Sequence, residues 1–356
     1  MTSPLIALVM NAAGFSASAI GINTSMFALA IVLFMPVAPR LMRRFGSSAF
    51  LVACLAVGAA TLLLIRAFEP GWIWFPLRLV IGCGFAGLWV VSESVINQLA
   101  SERRRGLVIG IYSTLHTLGF AGGAFLVQEV GSRGWLPFVI AAASMAVAIV
   151  PIVFGERLPA PAVAPTRTHF REFLRLAPFV LAGALVFGLT DLGVLALLPV
   201  YGVRGGLNEA DAAQLVVVSQ IANPLVQIPL GALADRVNRR WLLMGMAAIG
   251  VVSALLLAPS LASVPVRVAV LFALGGALFA TYSLSLTLLG QRFSGERLAE
   301  ANAAFVFMYG VGALVGPPAA GLAMDLWDPY GLPAFLGLVC GLYLALGVAR
   351  TFSRQA

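Results

Sequence analysis

"GALADRVNRR", residues 231–240, crowds Asp235, Arg236, Arg239 and Arg240 into six positions of a chain in which only 10% of residues are charged. Long apolar runs lie on both sides of it. Charges cannot sit cheaply in hydrocarbon, so a dense cluster between two such runs marks a surface connection between two membrane-crossing helices. The composition of the whole chain agrees. Of its 356 residues 61% are hydrophobic, and the mean hydropathy is +1.00. Soluble domains lie near ~45–50% apolar and ~25% charged, so the chain falls in the membrane class.

The same composition excludes several functions. Cys54, Cys83 and Cys340 all lie inside apolar runs and read as small buried hydrophobes rather than a disulfide or metal site. With two histidines and no zinc-type spacing, neither metal nor cofactor is expected. The formal charge of +8 is carried by arginine alone. These arginines cluster in short connections, which points to membrane topology and away from nucleic acid. The opening "SPLIALVMNAAG" (3–14) reads as part of a helix, with no small-residue cleavage site of a leader.

A spanning helix needs about 20 mostly apolar residues. By that measure helices are expected near 18–38, 49–66, 73–96, 107–128, 135–154, 176–201, 212–233, 241–259, 267–290, 299–322 and 332–349, with a partial helix at 4–13. The connections 39–48, 97–106, 155–175, 234–240, 291–298 and the tail hold 17 of the 22 arginines. The alternate connections hold only Arg66, Arg133, Arg204 and Arg267, and Arg78 lies within a helix. That asymmetry predicts that the first set, and the C-terminus, face the cytoplasm of a multi-pass membrane protein.

The longest polar connection is "GERLPAPAVAPTRTHF" (155–170), whose prolines and charges mark a linker. It predicts an N-terminal bundle over 1–154, a linker over 155–175 and a C-terminal bundle over 176–356. The halves share a feature: "VAPRLMRR" (37–44) in the first aligns with "LADRVNRR" (233–240) in the second, each after the second helix of its half. Two halves repeated in the same orientation predict a solute site between them near the membrane midplane.

With these features assembled, the chain resembles the major facilitator superfamily (MFS) along nearly its whole length. "GALADRVNRR" resembles the loop signature G-x-L-a-D-r-x-x-r-r. "RLVIGCGFAG" (78–87) resembles the fourth-helix signature built on Arg78, Gly82 and Gly84. "GALVGPPAAG" (Gly312, Gly316, Pro317, Gly321) resembles a glycine-proline helix signature, and "LHTLGFAGG" (115–123) is a version without the proline. "GLWVVSESVI" (87–96) is similar to the YcaD-like bacterial branch. The resemblance implies an all-α MFS fold of two six-helix bundles with about 11–12 transmembrane helices. It also implies that Gly231, Asp235, Arg236, Arg239 and Arg240 form a cytoplasmic gating latch. Two departures stand out. Met35 and Pro39 occupy the places of the signature's Gly and Asp in the first-half loop, and about half of the first span is missing, as from a late-set start or a truncated homologue.

Several residues are candidates for the solute and proton pathway, each with a plainer reading. Arg78 lies about two turns into an apolar helix; it either snorkels to the surface or takes part in substrate binding or proton coupling. Asp191, near the middle of "VFGLTDLGVLALL", is either a structural hydrogen-bond partner, for example with Thr190, or a protonatable site on the central cavity. Glu93 faces water, pairs with an arginine of 103–105, or carries protons. His116 is a relay or a simply hydrogen-bonded side chain. Gln220, Asn223 and Gln227 recur at helical spacing on one face, to bind a neighbouring helix or to line the cavity. Lining is expected, and together with Tyr112, Tyr282, Asn302 and Tyr309 it suits a small organic solute. Gly231 is expected to permit close helix approach, and the 312–321 stretch to pack helices, with Pro317 bending its own.

The expected function is secondary active transport by alternating access, proton-coupled and directed to efflux, by a monomer working with the lipid bilayer, a small-molecule solute and protons. The alternative is a non-transporting receptor or scaffold derived from the same fold. No G-x-x-x-x-G-K-[ST] loop, paired carboxylates or nucleophile–base arrangement points to ATP use or to an enzyme.

Overall fold

A computed structural model describes residues 1–35, 37–99, 105–155, 170–234 and 236–352. Among them there are helices and no strands. In order these are α1 (Thr2–Ala12), α2 (Ala17–Phe34), α3 (Ala38–Phe45), α4 (Ser47–Ala67), α5 (Trp74–Leu99), α6 (Arg105–Val130) and α7 (Leu136–Phe154). They continue with α8 (Phe170–Leu176), α9 (Pro178–Arg204), α10 (Glu209–Ala234), α11 (Arg239–Ser260), α12 (Val264–Arg292), α13 (Gly295–Leu326) and α14 (Gly331–Phe352).

Local sequence explains the boundaries. Ser16 caps α2, its hydroxyl accepting from the Ala19 N–H at 3.2 Å. Asn208 does the same for α10 through the Asp211 N–H at 2.8 Å, and Asn238 caps α11 through the Arg240 N–H at 2.9 Å. Each short polar side chain satisfies an amide that the helix cannot. Between α3 and α4 the chain reverses at Gly46, with φ at 84°, a conformation that glycine adopts without strain.

Nine of these helices are both long and apolar enough to cross a membrane, judged on the described residues: α2, α4, α5, α7, α9, α11, α12, α13 and α14. The 26-residue α6 and α10 have the length as well. At 11 residues α1 is about 16 Å long, roughly half the hydrocarbon thickness. Two expectations need correction. The span expected over 18–38 ends at Phe34, and the 39–48 connection is mostly the helix α3 rather than a loop. Ala38 and Met42 are buried there while Arg43 and Arg44 are exposed, so a short amphipathic helix satisfies both faces. Part of the expected linker, 170–176, is the helix α8.

Helix neighbours recur in a pattern. In the first half α2 packs on α5, α4 on α5 and α4 on α7. In the second, α10 packs on α12, α11 on α12 and α11 on α14. The main contacts between halves also form an exchanged pair: α2 lies against α13, and α10 against α6. Large apolar side chains cover the outside, as lipid contact requires; Phe154 is 85% exposed and Val147 68%. Exposed Trp72, Trp135, Trp327 and Tyr330 ring one end of the bundle, and Trp241 stands at the other, as in the aromatic belts of membrane interfaces.

Candidate functional site

The two halves meet closely because small residues line the contact. A Cβ added at Gly21 of α2 would strike the carbonyl of Pro317 on α13, and one at Gly321 would strike the Ala17 carbonyl on α2. The other glycines of the 312–321 stretch turn to α9: a Cβ at Gly312 would meet the Leu185 carbonyl, and one at Gly316 the Leu189 carbonyl. The expected packing role of Gly312, Gly316 and Gly321 thus has a division of labour. α13 continues as one helix through Pro317.

Where α2, α9 and α13 converge, Ala28, Leu192 and Ala313 form a small apolar cluster with Phe27 and Tyr309 packed on it. Two charges flank this cluster. On the second-half side, Asp191 accepts a hydrogen bond from the Tyr309 hydroxyl at 2.8 Å. Thr190 is not its partner; that hydroxyl bonds back to the Val186 and Phe187 carbonyls of its own helix. Tyr309 belongs to an aromatic group: its ring lies 5.7 Å from Phe187 and 6.1 Å from Tyr282, which in turn lies 5.2 Å from Phe305. Asn302 stands two turns before Tyr309 on α13, with its buried Oδ1 lacking a hydrogen-bond partner among the described residues.

On the first-half side is Arg78. It is 1% exposed, so the snorkelling reading fails. Its guanidinium lies 5.5 Å from the Phe27 ring centre and donates to the Ser3 hydroxyl at 2.5 Å. Its Nε and Nη1 are buried with no hydrogen-bond partner among the described residues. A buried guanidinium held by one hydroxyl and one ring face is costly to maintain.

The other contact between halves, α6 with α10, carries the amide stripe. Asn223 donates to the Thr117 hydroxyl of α6 at 3.1 Å, and Gln227 donates to the Asn223 Oδ1 at 3.1 Å. Gln220 is buried. Asn223 thus joins helices across this contact, as an amide between two apolar helices is satisfied by a partner on the other side. His116 is exposed and ring-packed, 5.5 Å from Trp89 and 4.9 Å from Phe120.

The 231–240 connection is tied locally. Arg239 donates to the Ala234 carbonyl at 2.9 Å, and Arg240 lies 5.7 Å from the Phe179 ring. Arg236 is exposed. Gly231 corrects an expectation: it is exposed, and a Cβ there would meet nothing within 4 Å. Asp235 and the side chain of Glu93 lie outside the described residues.

A cluster the sequence did not announce sits at the opposite end. Asp325, in the last turn of α13, accepts from the backbone N–H groups of Ala17 and Ser18, each at 2.8 Å. Arg204, at the end of α9, reaches Asp325 at 3.3 Å and the Asn11 side chain at 3.3 Å. At the same end Glu209 of α10 accepts from Ser132 at 2.6 Å and pairs with Arg133 at 3.7 Å. Both contacts between halves are therefore tied there by carboxylates.

A helical bundle of two like-wired halves, with Asp191 held by Tyr309 on the second-half side and Arg78 buried on the first-half side, defines a multi-pass membrane protein of the transporter class. The profile of the Major Facilitator Superfamily matches residues 1–225 and 206–355, and the chain belongs to that superfamily, whose members move small molecules across lipid bilayers. It is 25% identical to the uncharacterised MFS-type transporter YfkF of Bacillus subtilis, over 99% of this chain and 92% of that one. It is 26% identical to the uncharacterised MFS-type transporter YcaD of Escherichia fergusonii, over 85% and 76%. Among solved structures, the nucleoside transporter NupG superposes with a TM-score of 0.77 at 17% identity, over 98% of this chain and 93% of that one. A bacterial homologue of the human lysosomal transporter Spinster, inward-facing and occupied, superposes with a TM-score of 0.74 at 17% identity, over 98% and 92%. These similarities at low identity are similarities of fold.

Proposed function

We propose that the protein is a proton-coupled secondary transporter of a small organic solute, working by alternating access and directed to efflux. The observation that carries this is the carboxylate of Asp191, held by Tyr309 within an aromatic group at the junction of the halves. An ionisable group in a membrane span marks an ion or proton path, and the aromatic faces beside it suit an organic solute. Residues 1–154 and 176–356 act as the two rocking bundles joined by 155–175, with Arg78 on the facing side of the site. Glu93 and His116 are further proton carriers, and Gln220, Gln227 and Asn302 line the path with Tyr282.

The arginine-bearing connections face the cytoplasm of the inner membrane, by the positive-inside rule, and the protein acts as a monomer. The ties of Asp325 and Glu209 then close the outer side, while Asp235 with Arg236, Arg239 and Arg240 latches the inner side in the alternate state. Conformations of this kind are selected by contacts made in one and lost in the other.

The test is uptake and release by proteoliposomes under an imposed pH gradient, with a panel of organic solutes that includes nucleosides, the cargo class of NupG by its description. Solute movement that follows the gradient in the wild type and not in Asp191→Asn is the expected result. Movement indifferent to pH in both proteins overturns the coupling.

A further inference from the structure

At the arginine-bearing end of the second half, away from Asp191, lies a cavity of about 340 Å³. That volume falls in the ~300–1,000 Å³ range of small-molecule sites. Four helices frame it. Phe179 and Val180 come from the first turn of α9, Arg240 from the first turn of α11, Arg292 from the last turn of α12, and Arg350 from the last turn of α14. Gln291 adds an amide, and among the described residues no carboxylate lines the cavity. Three arginines from three helices thus line one space. The Arg240 guanidinium lies 5.7 Å from the Phe179 ring, and the backbone N–H of Arg240 is held by the Asn238 side chain at the start of α11. Guanidinium forks match phosphate oxygens bidentately, and the start of the 27-residue α9 adds its partial positive charge. Leu288 and Val180 give the cavity an apolar side, so a ligand with a charged head and a greasy portion is accommodated as well as a compact anion.

We propose that this cavity binds a phosphate group, carried either by an anionic phospholipid of the adjoining leaflet or by a soluble phosphate compound. Basic pockets between helices at the cytoplasmic surface take lipid headgroups in this way. The choice of the cytoplasmic leaflet rests on the orientation proposed above; phosphate recognition does not.

The full chain, purified in neutral detergent, is unfolded thermally with tryptophan fluorescence as the readout. Phosphatidylglycerol, phosphatidylcholine, inorganic phosphate and chloride are titrated at matched ionic strength. Phosphatidylglycerol is expected to raise Tm saturably while phosphatidylcholine and chloride do not. Inorganic phosphate reproducing the effect assigns the site to the phosphate itself, and an effect of the lipid alone assigns it to the lipid. The double variant Arg292→Gln/Arg350→Gln is expected to raise the half-saturating concentration at least tenfold, and Arg43→Gln, an exposed arginine of the first half, to leave it unchanged. Each arginine is also changed singly, in case the double variant does not fold. Arg350→Lys keeps the charge without the fork and is expected to weaken binding less than Arg350→Gln. No response to either phosphate source, or equal responses of wild type and every arginine variant, overturns the proposal. Because no transport is measured, this result is independent of the assay for Asp191.

Discussion

Asp325 caps a helix that begins more than 300 residues before it: its carboxylate takes the N–H of Ala17 at 2.8 Å and that of Ser18 at the same distance. Carboxylates are stabilised at helix N-termini by the exposed amides and the aligned peptide dipoles. Here the cap joins the two halves at one end of the bundle.

Asp325→Ala is therefore expected to loosen that end. Hydrogen bonds to a charged acceptor contribute about 1.5–3 kcal/mol each, and couplings of ~1–3 kcal/mol shift an equilibrium by ~5–150-fold. In a background without native cysteines, a cysteine at Ser25, whose hydroxyl now bonds the Leu314 carbonyl at 2.7 Å, reports the opening. Its labelling by an impermeant thiol reagent from outside should rise several-fold in the variant. Unchanged labelling would falsify the role of Asp325 as a tie.

Asp191→Asn is expected to abolish the dependence of transport on the pH gradient while leaving the fold intact, since the amide still accepts from Tyr309. Tyr309→Phe removes only the donor, so coupling should persist with altered solute affinity. The two variants behaving alike would mean that the pair serves structure and not proton movement.

The glycines divide into necessary and indifferent. At Gly316 and Gly321 a Cβ would collide with backbone carbonyls, whereas at Gly231 it meets open space. Gly316→Ala and Gly321→Ala should each destabilise by about 1–3 kcal/mol, lowering the thermal midpoint in detergent. Gly231→Ala should leave it within a degree or so of the wild type. A lowered midpoint at Gly231 would show that a neighbour approaches it after all.

Orientation is checked with fusions. A fluorescent protein joined after residue 356 should glow, and alkaline phosphatase placed there should be inactive. Phosphatase inserted in the connection around Trp72, which is 81% exposed, should be active. The reverse pattern would invert the proposed topology.

Much of the architecture was legible because hydropathy needs no partner to be read. The apolar runs gave the helices, and the aligned arginines of 37–44 and 233–240 gave the repeat that the doubled helix contacts display. Tertiary partners were less visible. Nothing near Asp191 in sequence names Tyr309, which lies 118 positions away. The sequence leaves Arg78 between snorkelling and a role in substrate binding or proton coupling, and only the packing of α1 and Phe27 over it shows its burial. The helix α3 escaped because span length was the criterion, whereas its reason to form is the split between buried Met42 and the exposed arginines. Asp325 sits in "AMDLWDPYG" like any acid at a membrane surface, and nothing near it in sequence names Ala17, Ser18 or Arg204 as its partners.

That last point bears on how the protein can change over generations. The backbone bonds of the cap join one carboxylate to two amides, so they ask for no particular side chain at 17 or 18, and paired-change signals between these positions and 325 will be weak. Proline is the exception. The first position of a helix is where proline is ordinarily most welcome, but at position 17 it would remove an N–H that Asp325 holds.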